Sequence, residues 1–290
     1  ESDPETASLV RIEIDDPDLC PLYQARIIQG LSIGPSPTWM RYRLMSMGIR
    51  PINVIVDSTN YVLLELGQPL HAFDRDRLEG STIRIRRAGE RQTVVTLDDE
   101  SREIDADTLV IADAERPVAL AGVMGLANSE VTEASTRILL ESAFFAPPLV
   151  RRASRALGLV SEASYRFERT ADWEMVRFAA HRTLHLLQEH AGARIVGECV
   201  DRADPDHRRA PDVPLRVHQV NRVLGTDLKV EQAADLLQRL QLKVQPLGGQ
   251  VAPGVTNLMV QVPSFRRDLA QEVDLIEEIA RTHGFDAVKG

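Results

Sequence analysis

Residues 51–74 read PINVIVDSTNYVLLELGQPLHAFD, and this stretch decides how the first part of the chain can fold. The segment Val54–Leu66 is apolar enough for a buried helix, and Gly67 is the residue type that commonly ends one. Inside it, the run 57–61 (DSTNY) places polar side chains in an apolar pattern, and buried polar groups need hydrogen-bond partners. The run therefore forms either a capping or core network or one wall of a pocket.

A loop containing glycine and proline is expected at residues 67–74, directly after this helix. Such a loop can place His71 toward a cleft, and Asp74, three residues further on, can orient its ring. The alternative interpretation is a structural histidine that is satisfied within the fold.

The composition describes an ordinary chain of about two domains. Of its 290 residues, 43% are hydrophobic and 27% are charged, which suffices for packed cores. The formal net charge of -9 excludes the simplest nucleic-acid binder, a small domain with one broad basic face. Two cysteines, Cys20 and Cys199, cannot form a disulfide framework and suit a reducing compartment.

Targeting signals are missing from the sequence. The longest apolar runs stay below about 18 residues, and the first residues are polar and acidic rather than a signal peptide. We therefore expect a cytoplasmic protein without a membrane partner. Since the chain does not begin with methionine, we also expect it to be a piece of a longer protein.

Turn and linker signals divide the chain into four expected segments. These are a disordered lead-in at 1–8, a first domain at 9–203, a linker at 204–214 and a second domain at 215–290. The first domain mixes β-rich runs with helices, among them 149–157 and 174–190. The second shows two helices, a β-ribbon around a glycine-rich turn, and a last helix at 272–283. We therefore expect an α+β fold, in which a winged-helix-like domain follows a first domain of mixed or antiparallel sheets with flanking helices.

Three other segments of the first domain contain residues suited to chemistry. Gly122 and Gly125 let a backbone approach a ligand closely, although their spacing fits no phosphate-binding loop. Glu141 ends the apolar strand Ile138–Glu141, so its carboxylate lies at a sheet edge or is buried with a partner. The charged run 161–169 follows a glycine-containing turn and is typical of a solvated face.

Carboxylates surround the last helix of the second domain. Asp274, Glu277 and Glu278 share one helix face, and Asp268 precedes it. Carboxylates gathered in this way repel each other unless a cation neutralises them, and hard oxygen ligands suit Mg²⁺. The alternative is an acidic face neutralised by arginines, for which the sequence offers Arg266, Arg267 and Arg281.

Nine motifs occur in a fixed order along the chain. They are PIN (51–53), DSTNY (57–61), LELGQPLHAFD (64–74), LAGVMG (120–125), LESA (140–143), EASYRFER (162–169), VNRVLG (220–225), PSFRRD (263–268) and DLIEEIAR (274–281). Together they closely resemble the bacterial phenylalanyl-tRNA synthetase beta subunit, from roughly residue 9 to the end of the chain. The first domain resembles that family's editing domain, which hydrolyses tyrosine wrongly esterified to tRNA(Phe). The second resembles the winged-helix-like domain that follows it.

The resemblance also implies partners and cofactors. In this family the alpha subunit carries ATP-dependent charging, so this chain is not expected to aminoacylate by itself. The implied partners are the alpha subunit, in an alpha2beta2 holoenzyme, and the acceptor end of tRNA(Phe). Asp268, Asp274, Glu277 and Glu278 fall on the positions of the family's Mg²⁺ ligands, shared with the alpha subunit.

Site residues follow from the resemblance position by position. Glu141 is expected to recognise the tyrosine hydroxyl, while Thr59, Asn60 and His71 line the site with Arg50 nearby. His71 is expected to position the attacking water or the terminal ribose. The remaining matched positions are Gly125 and Ala163, which leave room for the substrate, and Ser161, which replaces the usual threonine.

Departures from the family pattern keep a second hypothesis open. Leu126 replaces a glycine beside the pocket and is expected to narrow it or restrict its backbone, and Thr170-Ala171-Asp172 replaces the usual Gly-Val-Asp. A scaffold that holds subunits together around a degraded editing pocket is therefore the alternative function. A nucleic-acid-binding role for the winged-helix-like domain is a third, although phosphates would be repelled by its acidic last helix.

Overall fold

The computed structural model describes residues 10–203, 212–246 and 257–287. The chain divides into two compact units, Glu1–His207 and Arg208–Gly290, and each has its own hydrophobic core. The expected lead-in, most of the expected linker and the glycine-rich turn after Pro246 lie outside the described residues.

The first unit contains eleven strands and five α-helices among its described residues. Its strands are β1 (Arg11–Ile14), β2 (Leu22–Gln29), β3 (Leu70–Asp74), β4 (Thr82–Arg87), β5 (Gln92–Val95), β6 (Ser101–Ile104), β7 (Leu109–Ala112), β8 (Pro117–Leu120), β9 (Met124–Gly125), β10 (Arg137–Phe144) and β11 (Arg194–Ala203). Its helices are α1 (Thr38–Ser46), α2 (Val54–Leu66), α3 (Pro147–Leu157), α4 (Glu162–Phe167) and α5 (Met175–Ala191). The helix predicted at 54–66 is confirmed, with both ends at the predicted residues.

Two larger sheets form the framework of this unit. One has the strand order β1-β4-β7-β8-β9, with β1 parallel to β4 and the other neighbours antiparallel. The other has the order β11-β2-β10-β3 and is antiparallel throughout. Ala25 and Ile27 of β2 share a buried cluster with Ile85 of β4 and Ile111 of β7, so the two sheets pack face to face. The α+β class with mixed and antiparallel sheets is thereby confirmed.

Helices cover the other face of the four-stranded sheet. Side chains alternate along a strand, so Ile28 of β2 and Ile138 of β10 point away from the sheet-to-sheet core. They pack against Val54 of α2 and Leu184 and Leu187 of α5 in a separate buried cluster. The sandwich of sheet, sheet and helix fixes α2 and β3 relative to β10.

Helix α2 is capped at both ends by the residues that the sequence offers. The side chain of Asn53 caps its N-terminus, and Gly67 ends it with a φ of 73°, a left-handed conformation that glycine adopts without strain. Inside the helix, Asp57 accepts hydrogen bonds from Ser36 Oγ and from the backbone N–H of Ile52. Most of the polar run 57–61 is therefore a structural network.

Replacing Asn53 with alanine is expected to lower the free energy of unfolding of the first unit by about 1 kcal/mol. The reason is that Asn53 Oδ1 accepts hydrogen bonds from the backbone N–H groups of Ile55 and Val56, both at 3.0 Å. Urea unfolding followed by tryptophan fluorescence measures the change, since both tryptophans lie in this unit. Asn60→Ala, in the same helix but not at its cap, is the control, and equal losses would contradict the capping role.

The loop predicted at residues 67–74 is in part a strand. Residues 70–74 form β3, which pairs antiparallel with β10. The expectation that Asp74 orients His71 is wrong, because residues three apart in a strand point to opposite faces. Asp74 instead accepts hydrogen bonds from Ser135 Oγ and from the backbone N–H of Asp76.

The second unit combines three helices with a small antiparallel sheet within its described part. The elements are β12 (Val213–Arg216), α6 (Val217–Leu224), α7 (Val230–Gln238), β13 (Lys243–Pro246), β14 (Asn257–Gln261) and α8 (Glu272–His283), with the strand order β12-β14-β13. The ribbon of β13 and β14 between α7 and α8 has the expected winged-helix-like order. Val213 and Pro214, expected in the linker, instead open β12, an edge strand where proline is tolerated.

Across the described residues, none of the helices is both long and apolar enough to cross a bilayer.

Candidate active site

A cavity of about 230 Å³ lies between the two sheets of the first unit, and residues of α2 and α4 also line it. Most of the residues that line it are apolar, among them Leu63, Leu97, Ile111, Leu120 and Phe167. A cavity of roughly 150 Å³ is known to take up benzene, so this one has room for an aromatic ring. The polar side chains on the wall are Asn60, His71, Glu141, Ser161 and Glu162.

Glu141 brings a buried carboxyl group to this cavity. Strand β10 runs between β2 and β3, and its register places Glu141 directly opposite Ala25 on one side and His71 on the other. Only 6% of Glu141 is exposed, and its Oε2 accepts a hydrogen bond of 3.1 Å from the hydroxyl of Tyr23. Burial raises the pKa of the Glu141 carboxyl to about 8, although the Tyr23 hydrogen bond lowers it. The group is therefore largely neutral at pH 7.

His71 lies on the same face of the sheet, half-buried in the cavity wall. Its ring packs edge-on against Phe73, with the centroids 4.5 Å apart. Loss of water around the ring lowers the pKa of His71 to about 4, so the imidazole is neutral at pH 7. A neutral ring can accept one hydrogen bond and donate another, but a pKa this low makes it a weak base.

Two glycines in the segment from β8 to β9 let its backbone pack closely against neighbouring side chains. Gly122 has a φ of 71°, and a Cβ there would lie 2.8 Å from Val150 Cγ2. A Cβ on Gly125 would lie 2.5 Å from His71 Cε1 and 2.6 Å from His71 Nε2. Gly125 is therefore required by the position of the imidazole.

Ser161 and Ala163 bring the start of α4 to the cavity. The Ser161 hydroxyl accepts a hydrogen bond from the backbone N–H of Ser164 and donates one of 2.6 Å to the carbonyl of Val123. The Ser164 hydroxyl accepts in return from the backbone N–H of Ser161, which completes a capping box. Ser161 thus ties α4 to the glycine turn, and its hydroxyl hydrogen is already donated.

The structure brings six of the site residues predicted in this unit to one cavity. These are Asn60, His71, Gly125, Glu141, Ser161 and Ala163. Thr59 and Arg50 do not line it. The Thr59 side chain points back into α2, where its hydroxyl donates to the carbonyl of Val56, because successive helical residues face different directions. Arg50 is exposed in the segment that precedes α2.

The expectation that Leu126 narrows the pocket is wrong. Leu126 does not line the cavity, and its side chain is 2% exposed within the core between the two sheets. Its φ of -102° is an ordinary extended conformation, so a leucine is not strained at this position. Leu126 therefore gives no support to a degraded pocket.

Tyr23 is the polar neighbour of the site that sequence reasoning missed. It is fully buried in β2 and precedes Glu141 by 118 residues, so nothing local in the sequence joins the two. The alternation of β2 does place Tyr23 on the face of Ala25 and Ile27. That face becomes informative only once the pairing of β2 with β10 is known.

The carboxylates of the second unit are engaged with arginines and with the backbone. Arg266 pairs with Asp268 at 2.7 Å and with Glu278 at 2.8 Å, and Arg281 also pairs with Glu278. The hydrogen bonds from Arg266 lower the pKa values of the Asp268 and Glu278 carboxyl groups.

The four predicted Mg²⁺ ligands do not fit a metal in this arrangement. Asp274 Oδ2 accepts hydrogen bonds from the backbone N–H groups of Ala270 and Gln271, as part of the cap of α8. Within the part of the chain that the structure describes, no group of three or more acidic, histidine or cysteine side chains is placed to hold an ion. A cation bound by Asp268 and Glu278 would have to displace Arg266. Glu277 adds no described contact to this network.

Two family models match the chain. The B3/4 domain matches residues 19–192, and the tRNA synthetase B5 domain matches residues 213–285. Curated relatives named phenylalanine–tRNA ligase beta subunit include that of Moorella thermoacetica, 48% identical over 288 residues, and that of Syntrophus aciditrophicus, 44% identical over 277 residues. These alignments cover 99% and 96% of this chain but 35% and 34% of the relatives, so the chain spans about a third of their length.

A solved structure is similar at a lower level. It is an N-terminal fragment of the phenylalanyl-tRNA synthetase beta-subunit from Pyrococcus horikoshii, with a TM-score of 0.43 and 14% identity, over 95% of this chain and 75% of that chain. The B3/4 match by itself covers more than half of this chain, and the relatives agree with it. The chain therefore belongs to the family of phenylalanine–tRNA ligase beta subunits, of which it carries a B3/4 domain and a B5 domain.

Proposed function

We propose that the first unit is an editing site, which hydrolyses the ester of tyrosine wrongly attached to tRNA(Phe). The observation that carries this proposal is one buried carboxyl group, that of Glu141, in a cavity that is lined mostly by apolar residues and has room for an aromatic ring. A tyrosine side chain matches both properties, since its ring is apolar and its hydroxyl needs a hydrogen-bond partner when buried.

The same cavity disfavours phenylalanine. A phenylalanine ring would exclude water from the cavity without offering a polar group to Glu141, and an unpaired buried polar group costs about 1–3 kcal/mol. Sites that hydrogen-bond a substrate hydroxyl reject the analogue without it by a factor on the order of 10⁴. An apolar synthetic pocket, in contrast, rejects an added hydroxyl by only about 10²-fold. An editing site of this kind supplies the discrimination against tyrosine that the synthetic pocket lacks.

The reaction requires water and a positioned ester. A water oxygen adds to the ester carbonyl, the bond to the ribose oxygen breaks, and tyrosine and the free 3′-terminal hydroxyl of the tRNA are released. Neutral His71 lies across from Glu141 in the same wall, where its ring can hold the water or the ribose by a hydrogen bond. Asn60, half-buried on α2, offers an amide to the same space. Both are assigned positioning rather than proton abstraction, because the pKa of His71 is low.

The family also suggests the setting in which this site works. We propose that the chain acts within a cytoplasmic alpha2beta2 holoenzyme, in which the alpha subunit charges tRNA(Phe) with ATP and the acceptor end then reaches this cavity. The scaffold hypothesis depends on Leu126 as the sign of a degraded pocket, and Leu126 instead packs in the core, so this argument for the scaffold does not hold.

Replacing Glu141 with alanine is expected to slow deacylation of Tyr-tRNA(Phe) by roughly 10- to 100-fold, the loss that one hydrogen bond of about 1–3 kcal/mol produces. The measurement is release of labelled tyrosine from Tyr-tRNA(Phe) by the holoenzyme that contains this beta subunit. Phe-tRNA(Phe) is the matched substrate and should stay intact with the wild type.

A second carboxylate provides the control variant. Glu65→Ala removes a carboxylate from the same helix as Asn60, but Glu65 pairs with Arg182 and does not line the cavity. Its deacylation rate should stay near that of the wild type. The editing function would be refuted by an enzyme that charges tRNA(Phe) with phenylalanine normally but releases tyrosine no faster than Tyr-tRNA(Phe) hydrolyses spontaneously.

A further inference from the structure

We propose that Tyr23 is a positioning residue for substrate selection, which holds one oxygen of Glu141 so that the other faces the cavity and recognises a phenol. The inference rests on the proposed editing function, of which it names the specificity determinant. It goes beyond the residues that the family motifs contain, since Tyr23 lies in none of them.

The register of the four-stranded sheet produces this contact. Tyr23 pairs with Ala143 and Ala25 pairs with Glu141, so Tyr23 and Glu141 are diagonal neighbours on one face. Diagonal neighbours lie within reach of aromatic side chains. Because the residue directly opposite Glu141 is a small alanine, the Tyr23 ring has room to cross and donate its hydroxyl hydrogen to Glu141 Oε2 at 3.1 Å.

The hydrogen bond from Tyr23 gives the two oxygens of the Glu141 carboxyl group different roles. Among the described contacts, the Tyr23 hydroxyl is the one hydrogen bond to this carboxyl, and it engages Oε2 alone. Glu141 also lines the cavity, so Oε1 is the oxygen left for a ligand. When a mobile carboxyl group binds a ligand, the cost of ordering it reduces the binding free energy. A carboxyl group that is already held in place does not incur this cost.

The electrostatic surroundings make this hydrogen bond important. The titratable groups facing Glu141 are Cys20 and Tyr23 from the β2 side, His71 from β3, and Glu162 across the cavity. None of the residues lining the described cavity is a lysine or an arginine. Burial raises the pKa values of Cys20 and Tyr23 well above their usual range, so both are neutral donors at pH 7. The Tyr23 hydroxyl is thus the described group that favours the ionised form of Glu141.

The test is Tyr23→Phe, which keeps the buried ring and removes the hydroxyl. In the holoenzyme we expect kcat/KM for Tyr-tRNA(Phe) to fall roughly tenfold, mainly through KM, while the residual rate on Phe-tRNA(Phe) is unchanged. The pH midpoint assigned to Glu141 should also move upward from about 8, since the variant loses the bond that lowers that pKa. Tyr61→Phe is the matched control, because its partly buried hydroxyl accepts from Arg43 and donates to Glu65 outside the cavity.

A binding measurement separates this inference from the editing function itself. L-tyrosinamide and L-phenylalaninamide differ by the phenol hydroxyl and cannot be hydrolysed as esters, so calorimetric titration of this chain reports recognition alone. A wild-type preference for tyrosinamide that Tyr23→Phe reduces about tenfold supports the inference, even if deacylation fails.

Two results would overturn the inference. One is a Tyr23→Phe variant that unfolds like the wild type and keeps both the tyrosinamide preference and the pH midpoint. The other is an equal loss on tyrosine and phenylalanine substrates, which indicates a role in core packing only. A double-mutant cycle adds an independent test, in which the same preference is measured in Glu141→Ala with and without Tyr23→Phe. A second loss of equal size in the Ala background would also overturn the role, because the group to be positioned is then gone.

Discussion

Gly125→Ala is expected to reduce deacylation of Tyr-tRNA(Phe) by about 10²-fold in the holoenzyme, the loss that a displacement of about 1 Å at a reactive site can cause. The added Cβ would lie 2.5 Å from His71 Cε1 and 2.9 Å from Leu97 Cδ1, much closer than carbon atoms approach without repulsion. The room for His71 to move is limited, because its ring also packs against Phe73. The ring must therefore rotate into the cavity or push β9 away from β3.

Gly34 provides the control for this substitution. A Cβ on Gly34 would meet nothing within 4 Å, and its backbone is not left-handed, so Gly34→Ala should leave the rate unchanged. Charging of tRNA(Phe) with phenylalanine should also persist in Gly125→Ala, if the lesion is confined to this unit. Normal tyrosine release by Gly125→Ala would show that the position of His71 is irrelevant to the reaction.

The sequence predicts local elements well where periodicity and capping residues agree. Helix α2 is the best case, since Asn53, the apolar run and Gly67 all indicate the same boundaries. The sequence of the segment after it favours a loop, because glycine and proline at its start obscure the short strand Leu70–Asp74. That strand forms through its pairing with β10, nearly 70 residues further along, and such pairing is not encoded in local propensity.

The site shows the same division between local and long-range information. Motifs identify Glu141, His71 and Gly125, but they do not state that a Cβ on Gly125 would collide with His71. Tyr23 was missed because its importance depends on the register between β2 and β10. Leu126 directly follows the pocket residue Gly125 in sequence, which suggests that it also faces the pocket. Side chains along an extended segment alternate between two faces, however, and the side chain of Leu126 faces the core.

Glu141→Gln is expected to make the first unit more resistant to unfolding at alkaline pH. In the folded state burial holds the pKa of Glu141 at about 8, whereas the carboxyl group of an unfolded chain titrates near 4.5. Between these values the folded state binds more protons, so the free energy of unfolding falls as pH rises. His71 acts in the opposite sense, but only between about pH 4 and 6.5. From pH 6.5 to 8, Glu141 should therefore lower the wild-type free energy of unfolding by about 1.5 kcal/mol.

Urea unfolding at a series of pH values measures this effect, with Trp39 and Trp173 as fluorescent reporters of the first unit. The variant should lack the decline, because an amide does not titrate. Glu65→Gln is the control, because the pKa of Glu65 is shifted in the opposite direction: its hydrogen bond with Arg182 lowers that pKa. Its difference from the wild type should be constant from pH 6.5 to 8, because Glu65 is ionised in both states throughout.

Parallel pH dependences of Glu141→Gln and the wild type would mean that Glu141 is already ionised at neutral pH. The cavity would then present a charge to the substrate, and tyrosine recognition would depend on donation from the phenol alone.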